Sequence, residues 1–328
     1  MKRNPLLISV YATVYNNSKL VRRSILSIIN NLKSFKDNFE FVVVDNYSDD
    51  GTYETINDLA KLYPNIKVIR KKCTRGAGRA IAYNNTSGYF VFNVDLDTIY
   101  SNNLGKIIKN ILKVYKTNQY YCVPFGFEFM DYKTMNKIGN WPDLNTSEDS
   151  EFDARAISKG ITRFEIPVHL AYNEIIKNRE RRYAKNRIRF IKRKIRLIKD
   201  AIIGIGFKNL KEVKRSKFSS TVLFKIMFIY LKLTRVKISI YSNFSSNLEY
   251  VQMEKYFLNP HKLGINKKYW VGFIPTGIIS NYAIFKQLGL LIKLGFNRIV
   301  LLGNGSILCY TNLTDNKIIS YYKKQFSK

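Results

Sequence analysis

Short apolar runs and amphipathic stretches alternate along the first half of the chain. Residues 6–14 form a β-branched apolar run, the pattern of a strand buried on both faces. From residue 18 the rhythm turns helical, with Leu20, Val21, Ile25, Ile28, Ile29 and Leu32 on one side. A second buried strand follows at 39–44, then a helix at 52–62 closed by Pro64, and a third strand at 66–69. Residues 76–86 read as helix and 88–94 as a fourth strand. Residues 101–116 read as a helix striped by Leu104, Ile107, Ile108, Ile111 and Leu112, and 120–129 as a further strand. Strands alternating with helices of this length predict βαβ units and an α/β fold, a mostly parallel sheet with helices on both faces. In such sheets ligands bind at the carboxyl ends of the strands. The polar residues of interest therefore lie just after strands, at 13–16, 45–50 and 95–97.

The character changes after Leu170. Residues 177–217 hold 17 Lys+Arg against 3 Asp+Glu. Within them Ile188, Ile191, Ile195 and Ile198 recur at helical spacing with bases between, the pattern of a basic amphipathic helix. Residues 219–233 are apolar apart from Lys225 and Lys232. The later stretches 270–285 and 288–296 are broken by Pro275, Gly277, Lys286 and Lys293, and suggest either a core or a re-entrant helix pair. No stretch has the ~18 uninterrupted apolar residues of a membrane span. The expected division is an α/β domain at 1–170 and a basic, mainly helical region at 171–328.

The formal charge of +31 sharpens that division. Through Leu170 there are 23 Lys+Arg against 17 Asp+Glu; beyond it, 32 against 7. A half so basic suits nucleic acid, an anionic membrane or an acidic glycan. Its bases alternate with apolar residues at helical spacing and show no nucleic-acid module, which favours an anionic membrane surface and disfavours nucleic acid. The three cysteines, Cys73, Cys122 and Cys309, are odd in number and far apart, with no CxxC pair. They exclude a disulfide framework and a zinc site and point to a reducing compartment. The apolar run at 6–14, although preceded by Lys2 and Arg3, lacks a small-residue cleavage site and is expected to be strand one of a cytoplasmic protein.

Asp95 and Asp97 follow the strand at 88–94. Residues two apart in extended chain point the same way, so both carboxylates fall on one side. Two such oxygen donors suit Mg2+ or Mn2+ shared with substrate phosphates; taken alone, they equally suit a solvated turn. Upstream, Val44-Asp45-Asn46-Tyr47-Ser48-Asp49-Asp50-Gly51-Thr52 reads as strand end, acidic turn and helix start. Asp45 is placed to accept hydrogen bonds from a base or ribose, whereas Asp50 also suits ordinary helix capping.

In these segments the chain resembles the family 2 glycosyltransferases, which have the GT-A fold. The resemblance covers residues 6–169. Thr13-Val14-Tyr15-Asn16 resembles the family's opening Tyr-Asn segment, and the stretch from Val44 to Thr52 its Val-Asp-Asp/Asn-Gly-Ser-x-Asp-Gly-Thr pattern. Arg75-Gly76-Ala77-Gly78-Arg79-Ala80 stands where the family has Asn-x-Gly-x-x-x-Ala-Arg-Asn, and Gly88 to Asp97 resembles Gly-Glu-Tyr-(apolar)-Leu-Asp-x-Asp. Glu148-Asp149-Ser150-Glu151-Phe152-Asp153-Ala154-Arg155 resembles the acceptor-side Glu-Asp-x-Glu/Asp-(apolar)-x-x-Arg motif. Tyr47 in place of Gly and Arg75 in place of Asn are departures.

The resemblance implies an inverting transfer from a nucleotide-diphosphate sugar donor to a lipid-linked or glycan acceptor. Thr13, Tyr15, Asp45, Asp50, Arg75 or Arg79, and Asp95 would contact the nucleotide sugar. Asp97 and Asp95 would hold Mn2+ or Mg2+. Asp149, with Glu148 beside it, would be the catalytic base, although acids there also suit a helix N-terminus capped by Thr146 or Ser147. His169 is a candidate third metal ligand, against a plainer role as a half-buried strand-end histidine. Trp141 suits either a sugar-stacking ring or a loop anchor. A sugar nucleotidyltransferase would carry a Gly-rich basic signature after strand one, which is missing; a non-catalytic basic coating protein is the other alternative. The membrane expectation places the enzyme peripherally on the inner face of the cell membrane.

Overall fold

The computed structural model of the protein describes residues 3–32, 35–123, 127–172, 187–205, 229–230, 233–234, 256–274, 281–303 and 305–326. The strands of the first half are β1 (Asn4–Val14), β2 (Phe39–Asp45), β3 (Ile66–Arg70), β4 (Gly88–Val94), β5 (Ile99–Tyr100), β6 (Gln119–Val123), β7 (Phe127–Asp131), β8 (Thr162–Glu165) and β9 (Ala171–Tyr172). The helices are α1 (Val21–Asn31), α2 (Phe35–Asn38), α3 (Thr52–Leu62), α4 (Arg75–Asn84), α5 (Leu104–Val114), α6 (Tyr132–Ile138) and α7 (Glu148–Ser158). The basic half contributes α8 (Arg187–Ile205), β10 (Tyr256–Phe257), β11 (Val271–Ile274), α9 (Asn281–Lys293), β12 (Arg298–Leu301), β13 (Ile307–Tyr310) and α10 (Asn316–Gln325).

Eight strands form one sheet in the order β10-β8-β6-β7-β4-β1-β2-β3. β1 is an interior strand, parallel to both β2 and β4, with Val10 opposite Phe41 on one side and Phe92 on the other. Alternation divides the apolar residues between two faces. Val10, Ala12, Val14, Phe41 and Val43 join the core beneath α1 and α5, where Ile25, Ile28, Ile107 and Ile111 are buried. Tyr11, Val42, Val44 and Val91 face the other core, closed by Ala82 and Tyr83 of α4 and Phe152 of α7. The expected α/β architecture, a mostly parallel sheet covered on both faces, is the one observed.

Two expectations are modified. The run at 120–129 holds two antiparallel strands, β6 and β7, paired through Val123 and Phe127. The expected helix pair at 270–296 is strand β11 followed by α9. β11 joins β13 and β12 in an antiparallel sheet, which packs on α10 through Val271, Phe273, Leu308, Ile318 and Tyr322. The basic half is thus anchored to the first: Trp270 and Leu291 enter the main core, and β10 extends the large sheet beside β8. No helix among the described residues is long and apolar enough to cross a membrane. Of the basic run at 177–217, residues outside 187–205 are not among those described, nor is most of 219–233.

Candidate active site

The carboxyl ends of β1, β2 and β4 open on the same edge of the sheet. Asp45 ends β2 and is fully buried. Its Oδ2 accepts from the Ser48 backbone N–H at 3.0 Å and lies 3.6 Å from Arg70 Nε. Its Oδ1 is buried without a hydrogen-bond partner among the described residues, an arrangement that native structures keep for a reason. Tyr47 adopts φ 52°, the left-handed conformation that its glycine counterpart would adopt freely. The exposed Tyr47 ring has Arg70 over it at 5.1 Å. The Asn16 backbone N–H donates to Ser48 Oγ at 2.9 Å, and its side chain donates to Asp49 at 2.7 Å, so the loops after β1 and β2 are tied together. Exposed Tyr15 and Tyr47 stand on these joined loops. Asp50 accepts from the Ser18 and Thr52 backbone N–H groups, bracing α3 against the loop after β1.

α4 comes unusually close to β1. A methyl group at Gly78 would collide with Thr13 Oγ1, and one at Gly76 with the Pro142 carbonyl. Thr74 caps the helix by accepting from Ala77 N–H at 3.0 Å. This approach brings Arg79 under the carboxyl end of β4.

The triplet follows β4 as a turn at Leu96 and Asp97, not as the extended segment expected. Asp95 is exposed, Leu96 is buried and Asp97 is partly open. Its backbone is pinned on three sides: Asn17 Nδ2 donates to the Leu96 carbonyl at 2.8 Å, Ser24 Oγ to the Thr98 carbonyl at 2.7 Å, and the Asp95 N–H to Tyr100 Oη at 3.1 Å.

The acids at the start of α7 reach the same place. Arg79, 5% exposed, donates to Asp95 Oδ1 at 3.0 Å and lies 3.3 Å from Glu148 Oε1. Arg75 donates to the same Glu148 oxygen at 3.3 Å. Burial disfavours the Arg79 charge, but Asp95 and Glu148 outweigh it and hold the guanidinium protonated. Burial likewise pushes Glu148 up, opposed by Arg79 and Arg75. Asp149, the next residue, is exposed in the first turn of α7 and accepts from the Ser150 N–H at 2.7 Å. Ser147 makes no side-chain cap and sits at φ 61°. The segment leading into α7 is held by α8 instead: Asp200 Oδ2 accepts from the Asn145 and Thr146 N–H groups at 3.0 and 3.2 Å.

Trp141 is a loop anchor. It is 5% exposed, stacks on Phe152 at 4.3 Å and donates its indole N–H to Tyr11 Oη at 3.0 Å, while Arg79 lies 4.7 Å from its ring. His169 is fully buried, its ring 4.3 Å from that of Tyr172 and 5.6 and 5.7 Å from those of Tyr321 and Tyr322. Burial pushes its pKa down to about 4, keeping the ring neutral. Among the described residues no three His, Cys, Asp or Glu side chains gather as a metal cage.

One carboxylate went unnoticed in the sequence. Glu128 of β7 lies across from Asn93 of β4, whose Nδ2 donates to it at 2.8 Å. Burial pushes it up to about 7, against the pull of Arg79 and Asn93. A single acid within Phe127-Glu128-Phe129-Met130 was the available signal.

Residues 9–166 match the family model described as Glycosyl transferase family 2. No curated protein sequence matches the chain. Among solved structures, the chain is similar to TarS of S. aureus, at 17% identity over 65% of this chain and 42% of that chain, TM-score 0.44. It is similar to TarS 1–349 of S. aureus in complex with UDP-GlcNAc, at 20% identity over 47% of this chain and 54% of that one, TM-score 0.41. A third is the mannosyltransferase PcManGT of Pyrobaculum calidifontis with GDP-Man and Mn2+, at 14% identity over 74% and 84%, TM-score 0.48. The chain spans about half the length of the first two.

Proposed function

With residues 9–166 a glycosyl transferase family 2 domain, we propose that the protein moves a sugar, with inversion, from a nucleotide-diphosphate sugar to a hydroxyl of a lipid-linked or glycan acceptor. The observation that carries this reading is Arg79, one buried guanidinium joining Asp95 at the end of β4 to Glu148 at the start of α7. Glycosyl transfer needs positive charge at the leaving diphosphate, such as a cation held by carboxylates, and a base at the attacking hydroxyl, and the Arg79 bridge supports one site serving both.

In this reading Thr13, Tyr15, Asp45, Asp50 and Arg75 bind the nucleotide, with the unpartnered Asp45 Oδ1 accepting from a ribose hydroxyl or base N–H. Asp149 takes the proton of the acceptor hydroxyl as it attacks the anomeric carbon, while Glu148, paired to Arg75 and Arg79, fixes the start of α7. Asp95 and Asp97 fit a hard divalent cation: both are oxygen donors open to solvent, and a pair suits an ion that takes its other ligands from phosphate and water. Bound there, Mn2+ or Mg2+ supplies positive charge against the departing diphosphate. His169, enclosed by tyrosines, is left out of this set. Exposed Ile191 and Ile195 among the bases of α8 support seating on an anionic cytoplasmic leaflet.

The test is a thermal-shift and turnover panel of UDP-, GDP- and dTDP-sugars with and without Mn2+. One donor is expected to raise the melting temperature by mass action and to release its nucleotide diphosphate only with the metal. Silence across the whole panel would sink the proposal.

A further inference from the structure

A cavity of about 400 Å³ lies between α8 and the segment that leads into Glu148 and Asp149. Lys192, Ile195, Arg196, Lys199, Asp200 and Ile203 form its α8 wall, and Thr74, Asp143, Leu144 and Asn145 face them. The three bases are spaced i, i+4, i+7, so they share one stripe of the helix. No ion pair engages them among the described residues. Two acids line the same cavity, so its charged lining is three bases against two carboxylates: Asp143 accepts from Thr74 Oγ1 at 2.5 Å, and Asp200 accepts from the Asn145 and Thr146 N–H groups and feels the charge of Lys199.

The cavity is built rather than incidental. The far end of α8 is seated firmly, with Ile198 at 5% and Ile202 at 0% exposure. Gly204 is equally close-packed: a methyl group there would lie 3.1 Å from Leu144 Cδ1 and 3.3 Å from the Ser147 carbonyl. Asp200 fastens this helix to the residues immediately before the proposed base. The volume is in the range of small-ligand sites, roughly 300–1,000 Å³. Three bases outnumber the two carboxylates of the lining, and Leu144, Ile195 and Ile203 stand beside them, which matches a phosphate group whose ester extends along a less polar surface.

We propose that this cavity is a subsite for a phosphate ester carried by the acceptor, held by Lys192, Arg196 and Lys199, so that a neighbouring hydroxyl reaches Asp149. This rests on the reading above in which Asp149 serves the acceptor. The phosphate belongs either to a soluble ester or to a lipid headgroup; a monoester presents a dianion and a diester headgroup a monoanion, each with anionic oxygens for the three bases.

Calorimetric titration of the full chain with glycerol 3-phosphate, with glycerol as the uncharged control, tests it. Sedimentation with phosphatidylcholine vesicles, with and without phosphatidylglycerol, runs alongside. Glycerol 3-phosphate should bind where glycerol does not, and the triple variant Lys192→Gln/Arg196→Gln/Lys199→Gln should weaken it at least about tenfold. Arg196→Gln alone, with a circular-dichroism melt, provides the same reading at smaller amplitude where the triple variant misfolds. Binding of both probes, each weakened by the variants, supports the subsite with a lipid source; binding of glycerol 3-phosphate alone supports it with a soluble source. Vesicle binding without any glycerol 3-phosphate binding marks α8 as a plain electrostatic surface and overturns the subsite, as does undiminished phosphate binding by the variants. Nucleotide-sugar binding is followed separately by thermal shift. A protein that binds the phosphate probe and no nucleotide sugar keeps the anion site and loses the catalytic reading; one that binds nucleotide sugar and not the probe keeps the catalytic reading and loses the site.

Discussion

Replacing Glu128 by Gln should make the protein more stable at alkaline pH and flatten part of its pH dependence. Glu128 is pushed from 4.5 up to about 7 by burial. A raised carboxyl binds more protons folded than unfolded between those values. Its favourable contribution is therefore complete below about 4.5 and is lost as the pH climbs through about 7. A tenfold difference in proton affinity is worth ~1.4 kcal/mol, so at pH 8 holding this carboxylate ionised opposes folding by roughly 3 kcal/mol, against about 1 kcal/mol at pH 5.5. Gln keeps an amide oxygen for the Asn93 donor and has no proton to lose. Wild type should thus lose about 2 kcal/mol relative to Glu128→Gln between pH 5.5 and 8, or roughly 4–8 °C in melting temperature for a domain of this size. Urea unfolding at several pH values reads the difference directly. Parallel pH profiles for the two proteins would overturn this expectation, because they would mean that Glu128 titrates alike folded and unfolded.

Arg79→Met should destabilise by about 3 kcal/mol in urea unfolding, since it strands the buried Glu148 without its near-buried cation. Arg79→Lys should recover little of that, because one ammonium cannot span Asp95 and Glu148 as the guanidinium does; full recovery with Lys would refute the bridge. Gly78→Ala should cost about 1–3 kcal/mol by forcing α4 off β1, and pairing it with Thr13→Ala should recover part of the loss in a double-mutant cycle. Strict additivity of the two would show that the contact does not govern the packing.

How much of this was legible in the sequence depended on how local the cause is. β1, β2 and β4 are buried on both faces, so each prints a continuous apolar run that needs no partner to be read. β12, by contrast, has four residues and is largely exposed, and the antiparallel sheet to which it belongs left no pattern. The acids Asp45, Asp95, Asp97, Glu148 and Asp149 stood out because each follows a strand or starts a helix. Arg79 enters through the resemblance, as an alternative to Arg75, yet its partners lie 16 and 69 residues further along, and nothing beside it in the chain names them. Asp200 was hidden in the same way, a lone acid in a basic helix whose meaning appears only when Asn145 and Thr146 are placed against it. Tyr47 shows the reverse case: the sequence put its turn in question, and the backbone holds the glycine-like φ regardless.

At the heart of the proposed mechanism, one site divides its labour between Asp97, at the donor diphosphate, and Asp149, at the attacking oxygen. Hydrolysis of the responsive nucleotide sugar, with water as acceptor, measures both in one experiment when Mn2+-dependent donor binding is followed alongside. Asp97→Asn should lose the metal-dependent binding, whereas Asp149→Asn should keep it while hydrolysis falls about 10²–10⁴-fold. An Asp149→Asn protein that hydrolyses the donor at the wild-type rate, or an Asp97→Asn protein that binds it as before with Mn2+, would contradict this division of labour.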